Sequence, residues 1–384
     1  MPKLLLDETK PWQRGIPLAY LKRVRECFRQ FDEGHCFGAF APFKENSIAD
    51  YAAGDQLLVL EDGGAVVAAA AVVRVAGKKT INGFAGPLGS PVVGAVQVKR
   101  MACLPGCEGL LAELVAAYAG EDELWLEGWV ESGQVLEVCE LLGAARVGSK
   151  VMAASEIVGV FARDPAVVYP QDPHEDITLQ KTRLTVKPQT IASAVAEIAD
   201  SGVAFSQHYS GYNRGASWSA LALRGFGGRA DFIIKPEEMS RKWKAEHPDE
   251  MGWECGETLL WDALPTVVRI ADAVPGEKER VRLMRLAPGG GELLRHADVT
   301  DPDAGIAEGR LLRIHVPLVT NPQVEFTQWL LSGEKKTVHM AAGEVWYLDT
   351  RKPHTAVNNG STERIHLVLD VKSNAKLRSL LCRD

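Results

Sequence analysis

The chain has 384 residues, 46% of them hydrophobic and 24% charged, with a formal net charge of −7. That length exceeds one ordinary core and suits two domains, and the composition is that of a folded globular protein rather than a disordered one. The negative balance argues against a general nucleic-acid or anionic-membrane binder, because there is no excess of cations to displace counterions.

The opening MPKLLLDETKPWQRG has only three consecutive leucines before Asp7 and Glu8, far short of a signal-peptide core. No run reaches the roughly 18 apolar residues that a membrane span needs. The cysteines at 27, 36, 103, 107, 139, 255 and 382 are odd in number and contain no C-x-x-C pair. Reduced thiols in a cytoplasmic protein are expected, each a small buried hydrophobe.

Residues 19–31, AYLKRVRECFRQF, carry apolar positions at helical spacing. DQLLVLEDGGAVVAAAAVVRVAGKK then reads as two strands around an Asp-Gly-Gly turn, a hairpin signal. AVQVKRMACLP follows as a strand, GLLAELVAAYAG as a helix and ELWLEGWV as a strand. GQVLEVCELLG reads as a further helix and ARVGSKVMAAS as a strand. This alternation predicts an α/β layer structure with helices covering a sheet. DPAVVYPQDPHED, residues 164–176, holds three prolines and four acids and reads as an interdomain break. The expected division is a domain over 1–164, a linker over 165–180 and a second domain over 181–384. From Arg280 onward short alternating runs are punctuated by turns, as in a sandwich, jelly roll or small barrel.

LLRHADVTD places His296 and Asp298 two positions apart. On an extended strand, residues i and i+2 project from one face, so an imidazole nitrogen and a carboxylate oxygen can reach a common ion. His354 follows 56 residues after Asp298, in TRKPHTAVNN. Two histidines and one carboxylate that leave the other metal positions open suit non-haem iron(II), and they also suit zinc. An H-x-D triplet alone arises often by chance and is equally compatible with a structural role.

In LLRIHVPLV, Leu312, Ile314, Val316 and Leu318 share one strand face, and Arg313 and His315 share the other. TERIHLVLD repeats the split, with Ile365, Leu367 and Leu369 opposite Arg364 and His366. The apolar faces must pack against other elements. The cationic faces either line an interior, where unpaired charge is costly without a ligand or metal, or lie solvated on an open sheet. In the first case a dicarboxylate compensates the charge, because guanidinium grips carboxylate with two parallel hydrogen bonds. Trp346 and Asp349 read as a buried aromatic and a turn aspartate, or as site groups. His366 reads as a core histidine or a site group, and Trp218, Trp253 and Trp261 as core or pocket wall. Asp301 and Asp303 read as a solvated loop or as further ligands.

The segments RLMRLAPGGGELLRHAD, RIHVPLVTNPQV and GEVWYLDTRKPHTAVNNGSTERIHLVLD, with YNRGASWSALALRG upstream, resemble the aspartyl/asparaginyl β-hydroxylase family, which includes free-proline hydroxylases. The resemblance covers roughly residues 181–384. It implies a double-stranded β-helix in which His296, Asp298 and His354 bind iron(II) and form the catalytic centre. It also implies that Arg364, ten positions after His354, binds the far carboxylate of 2-oxoglutarate, and that Arg313 and His315 contact the same cosubstrate. With O2, such an enzyme hydroxylates an amino acid, free or in a peptide, and releases succinate and CO2. Retention of a carboxylate at Asp298 favours hydroxylation over halogenation.

Residues 16–164 are similar, in element order and in LLGAARVGSKV, to the Gcn5-related acetyltransferase fold. A live enzyme of that fold needs a glycine-rich turn and a helix N-terminus for the pyrophosphate of acetyl-CoA. MACLPGCEGLLAEL offers Gly106 and Gly109 but lacks the full glycine pattern and carries Glu108, whose charge repels phosphate. A non-catalytic domain is therefore expected. The alternatives are a bifunctional hydroxylase and acyltransferase, or a non-enzymatic cupin-like metal-binding module. Oligomeric state has no sequence signature here.

Overall fold

The structure, a computed structural model, describes residues 3–4, 18–35, 48, 51–52, 54, 56–76, 88–152, 156–168, 177–298 and 304–381. Its contacts divide the chain into two compact units, Met1–Asp172 with Leu331–Glu334, and Pro173–Leu330 with Lys335–Asp384. Residues 169–176 of the expected interdomain break lie outside the described residues. Leu179, within the stretch read as linker, is wholly buried in the second unit, and a strand begins at Gln180. No described helix is long and apolar enough to cross a membrane.

The first unit is a seven-stranded sheet in the order Lys3–Leu4, Leu57–Asp62, Ala65–Arg74, Val96–Cys103, Leu124–Trp129, Ile157–Arg163, Ala145–Val151. Val96–Cys103 and Leu124–Trp129 run parallel, and the helix Glu108–Ala119 makes the crossover that a parallel pair needs. The Asp-Gly-Gly turn is a two-residue hairpin loop closed by Asp62 opposite Ala65. Gly63 and Gly64 have φ of 55° and 84°, which a side chain would strain. Helical Val24, Phe28, Leu111 and Val115 pack on Ala68, Ala70 and Val98 of the sheet. The strand Ile157–Arg163, which sequence reading did not assign, is inserted beside Leu124–Trp129. Its six leading residues are all buried, so it lacks the polar alternation that marks a half-exposed strand.

The second unit consists of two antiparallel sheets that sandwich a common interior. The smaller runs Asn213–Arg214, Gly291–His296, His354–Asn358, Val324–Trp329, Lys335–Val338. The larger runs Cys255–Glu257, Trp218–Phe226, Lys278–Leu286, Arg364–Lys372, Leu311–Val319, Glu344–Leu348, Gln180–Thr185, with Ser206–Gln207 beside Trp218–Phe226. From Lys278 the chain passes back and forth between the sheets, giving a double-stranded β-helix. Leu293, Phe326 and Ala356 of the small sheet meet Met284, Leu286, Leu348 and Val368 of the large one.

The outer face of the large sheet is closed by helices. Leu312, Ile314, Val316, Leu318, Ile365, Leu367 and Leu369 join one core with Ile191 and Ala194 of the helix Pro188–Asp200 and with Val267, Ile270 and Ala271 of Pro265–Ala273. Of the two readings of the alternating strands, the packed one holds. Strand periodicity then obliges Arg313, His315, Arg364 and His366 to face inward.

Candidate active site

His296 is the last residue of Gly291–His296 and His354 the first of His354–Asn358, and the two are cross-strand partners. Asp298 lies just beyond the strand, where its N–H donates to the Thr350 carbonyl at 2.8 Å. The carboxylate is therefore presented by a strand end tied to a neighbouring turn, not by an unbroken strand as the H-x-D spacing suggested. One donor atom from each of His296, Asp298 and His354 lies within 4.8 Å of the other two. Asp301 and Asp303 fall outside the described residues.

The imidazoles are oriented by main-chain carbonyls. His296 Nδ1 is 2.8 Å from Leu294 O, and His354 Nδ1 is 2.9 Å from Lys352 O. A carbonyl only accepts, so each Nδ1 carries the proton and each Nε2 lone pair is free for an ion. Tyr212 stacks on His296 and Phe326 on His354, with ring centroids 4.8 and 5.9 Å apart. Burial pushes both histidines below their ordinary pKa, His354 to about 3. Burial alone would raise the Asp298 carboxyl, but Arg313 and the two histidines hold it well below the carboxylate range. Two neutral imidazoles and an ionised carboxylate are the protonation states in which these groups bind a divalent metal.

A cavity of about 620 Å³ opens on this cluster, within the roughly 300–1,000 Å³ typical of small-molecule sites. Arg313, His315 and Arg364 all line it. Arg313 donates to Asp298 and, through Nε at 2.7 Å, to Asp370, so its guanidinium links the candidate metal carboxylate to a buried acid. Arg364 differs. Its guanidinium is wholly buried, and among the described residues its partner is an imidazole, His366 Nδ1 at 2.8 Å, rather than a carboxylate. Its Nε is buried without a partner.

Several groups in and behind the cavity wall had no sequence signal. Asp370 also accepts from Arg280 Nε at 2.7 Å and Arg282 Nη2 at 3.1 Å, so three guanidinium groups converge on one acid. His208 stacks on Trp218 at 3.6 Å between centroids, and its Nδ1 accepts the Ser210 N–H at 3.2 Å, which leaves the proton on Nε2. Of the tryptophans considered from sequence, only Trp218 lines the cavity. Trp253 packs edge-on to Phe232, and Trp261 lies under Arg224. Trp346 is buried and donates to Glu344, while Asp349 is buried against Arg351 and Lys352 in the turn before His354.

Residues 189–374 match the model of the family Aspartyl/Asparaginyl beta-hydroxylase. That span is just under half of the chain and contains His296, Asp298, Arg313, His315, His354 and Arg364. The family read from the sequence motifs is thus the one this half of the chain matches. The chain is 33% identical over 89 residues to an L-proline cis-4-hydroxylase from Rhizobium meliloti (strain 1021), a match covering 23% of this chain and 28% of that relative. The chain thus spans less than a third of the length of that curated relative. Among solved structures, a Pseudomonas putida prolyl-4-hydroxylase aligns with a TM-score of 0.29 at 12% identity, over 52% of this chain and 94% of that one. A GNAT-family acetyltransferase from Streptococcus agalactiae 2603 aligns with a TM-score of 0.32 at 9% identity, over 44% and 96%.

Proposed function

We propose that the C-terminal unit is an iron(II)- and 2-oxoglutarate-dependent dioxygenase that hydroxylates an unactivated C–H of an amino acid, free or within a peptide. The observation that carries this reading is the juxtaposition in one cavity of a His-Asp-His donor set and a buried guanidinium with no acid partner among the described residues. His296, Asp298 and His354 would hold the metal through Nε2, a carboxylate oxygen and Nε2. Arg364 would pair with the distal carboxylate of the cosubstrate. Arg313 fixes Asp298, and His315 lines the same cavity toward the cosubstrate.

Iron(II) held there with 2-oxoglutarate would supply the oxidising power for O2 to hydroxylate the substrate, with succinate and CO2 as the co-products. The chain's own residues orient and exclude. Leu294 O and Lys352 O set the imidazole tautomers, and Tyr212 and Phe326 cover the ring faces.

The test is succinate release by the iron(II)-loaded protein over a panel of free amino acids and peptides, with mass detection of one added oxygen atom. His354→Ala should abolish both signals, and undiminished turnover in that variant would refute the ligand assignment. Release of succinate also separates an enzyme from a module that merely binds metal. The N-terminal unit we read as non-catalytic. Glu108 is buried and accepts the Gly106 N–H at 3.2 Å, so the protein's own carboxylate occupies the donor that a pyrophosphate would need.

A further inference from the structure

We propose that His366 is a positioning residue for Arg364, a neutral acceptor that aims the guanidinium into the cavity while leaving its positive charge for a ligand. This rests on the reading of Arg364 as the group that receives the cosubstrate's far carboxylate.

Arg364 and His366 are two apart on the strand Arg364–Lys372, both on its inner face and both buried. The other guanidinium groups of the cavity, on Arg280, Arg282 and Arg313, each reach the carboxylate of Asp370. Arg364 instead donates from Nη2 to His366 Nδ1 at 2.8 Å. A guanidinium has donors and no acceptor, so the nitrogen facing it must present a lone pair. His366 is therefore neutral, with its proton on Nε2. His315 Nδ1 lies 3.3 Å from the same nitrogen with the two rings at 86°, so it braces the His366 ring from the side.

The choice of acceptor decides what the guanidinium can still do. A carboxylate at position 366 would accept the same hydrogen bond more strongly, but it would cancel the charge. A diacid arriving from solution would then compete with an acid already fixed in place. An apolar side chain would leave the charge intact but the direction unset, and a buried donor without a partner is costly. A neutral imidazole holds the direction and keeps the charge, which is what a carboxylate-receiving arginine requires.

The test measures 2-oxoglutarate binding rather than turnover, by calorimetric titration of the full-length iron(II)-loaded protein without oxygen. His366→Asn, which can place an amide oxygen near the original Nδ1, should bind within about threefold of the parent. His366→Leu should bind about 10- to 100-fold more weakly, the size expected for loss of one hydrogen bond to a charged group. His366→Asp, equal in size to Asn, should bind weakest of the three. Iron affinity should be unchanged throughout, and in turnover the loss in His366→Leu should fall on KM for 2-oxoglutarate rather than on kcat. A merely structural role predicts that Asp and Asn behave alike, so equal binding by those two overturns the proposal. Parent-like binding by His366→Leu overturns it as well, even if the Asp variant does not fold. Arg364→Met separates the two levels. If it binds 2-oxoglutarate normally, the reading of Arg364 falls and the proposal with it; if it loses binding while Asp and Asn match, only the role of His366 falls.

Discussion

Asp370→Asn, behind the arginines that line the cavity, should strongly destabilise the C-terminal unit. The side chain is 2% exposed and receives Arg280 Nε and Arg313 Nε at 2.7 Å and Arg282 Nη2 at 3.1 Å. Asparagine keeps the volume and one acceptor oxygen but removes the charge that all three guanidinium groups share. Arg280 would retain Glu238, and Arg313 would retain Asp298. Besides Asp370, Arg282 has among the described residues the Ile233 carbonyl at 3.2 Å and an unpartnered Nε, so it has no second acid to replace the lost charge. Breaking a buried pair by removing one partner costs roughly 3–5 kcal/mol. That is a large share of the about 5–15 kcal/mol by which a domain is stable. Urea unfolding of the C-terminal unit checks it: with a slope near 3 kcal/mol/M, the midpoint should fall by about 1–1.7 M. Adding Arg282→Met to the Asn variant should recover part of the loss, because it removes the cation left bare. An unfolding free energy for Asp370→Asn within about 0.5 kcal/mol of the parent, a midpoint shift of about 0.2 M or less, would refute the reasoning.

Arg313→Met should weaken divalent-metal binding by about 10- to 100-fold, because Asp298 loses the group that orients it; calorimetry with and without the substitution decides. The metal-free protein should lose stability as pH falls below about 6.5. His315, His354 and His366 bind protons there when unfolded, whereas burial keeps them neutral when folded, His354 down to about 3. Stability is full above that pH and declines below it by up to about 1.4 kcal/mol per pH unit for each group, so an equal Tm at pH 7.5 and pH 5.5 would contradict the assignment. Acetyl-CoA should leave the Tm of the full chain unchanged, and an upward shift would show that Glu108 yields to a phosphate. Leu367→Ala, at a wholly buried position on the helix-covered face, should cost about 2–5 kcal/mol in urea unfolding.

What could be read from the sequence was local. The two-residue period in LLRIHVPLV and ERIHLVLD separates an outward apolar set from an inward cationic one, and the structure packs them so. The H-x-D spacing and the distant His354 drew attention to three donors that the structure brings together. The partners of those donors were not legible, because they depend on cross-strand register. Asp370 stands opposite Arg313 on the adjacent strand, and nothing within either strand says so. Arg280 and Arg282 reach the same acid through the pairing of Lys278–Leu286 with the other side of the strand that carries it. His208, Tyr212 and Phe326 carry no local mark of a site, since each is recognised only by the ring it touches. The helix Pro188–Asp200 was within reach, because its apolar residues recur at helical spacing and Pro188 opens its first turn.

The pairing of His296 with His354 across a ladder, with Asp298 suspended from the Thr350 carbonyl, has a bearing on assembly. No two of the three donors from separate segments approach one another until strands more than 50 positions apart in the chain have zipped together. A nascent or half-formed chain therefore offers an ion little to grip. Metal added at a hundred times its dissociation constant would favour the finished fold by about 2.7 kcal/mol. It would behave as a latch that engages only after that ladder of the small sheet has formed.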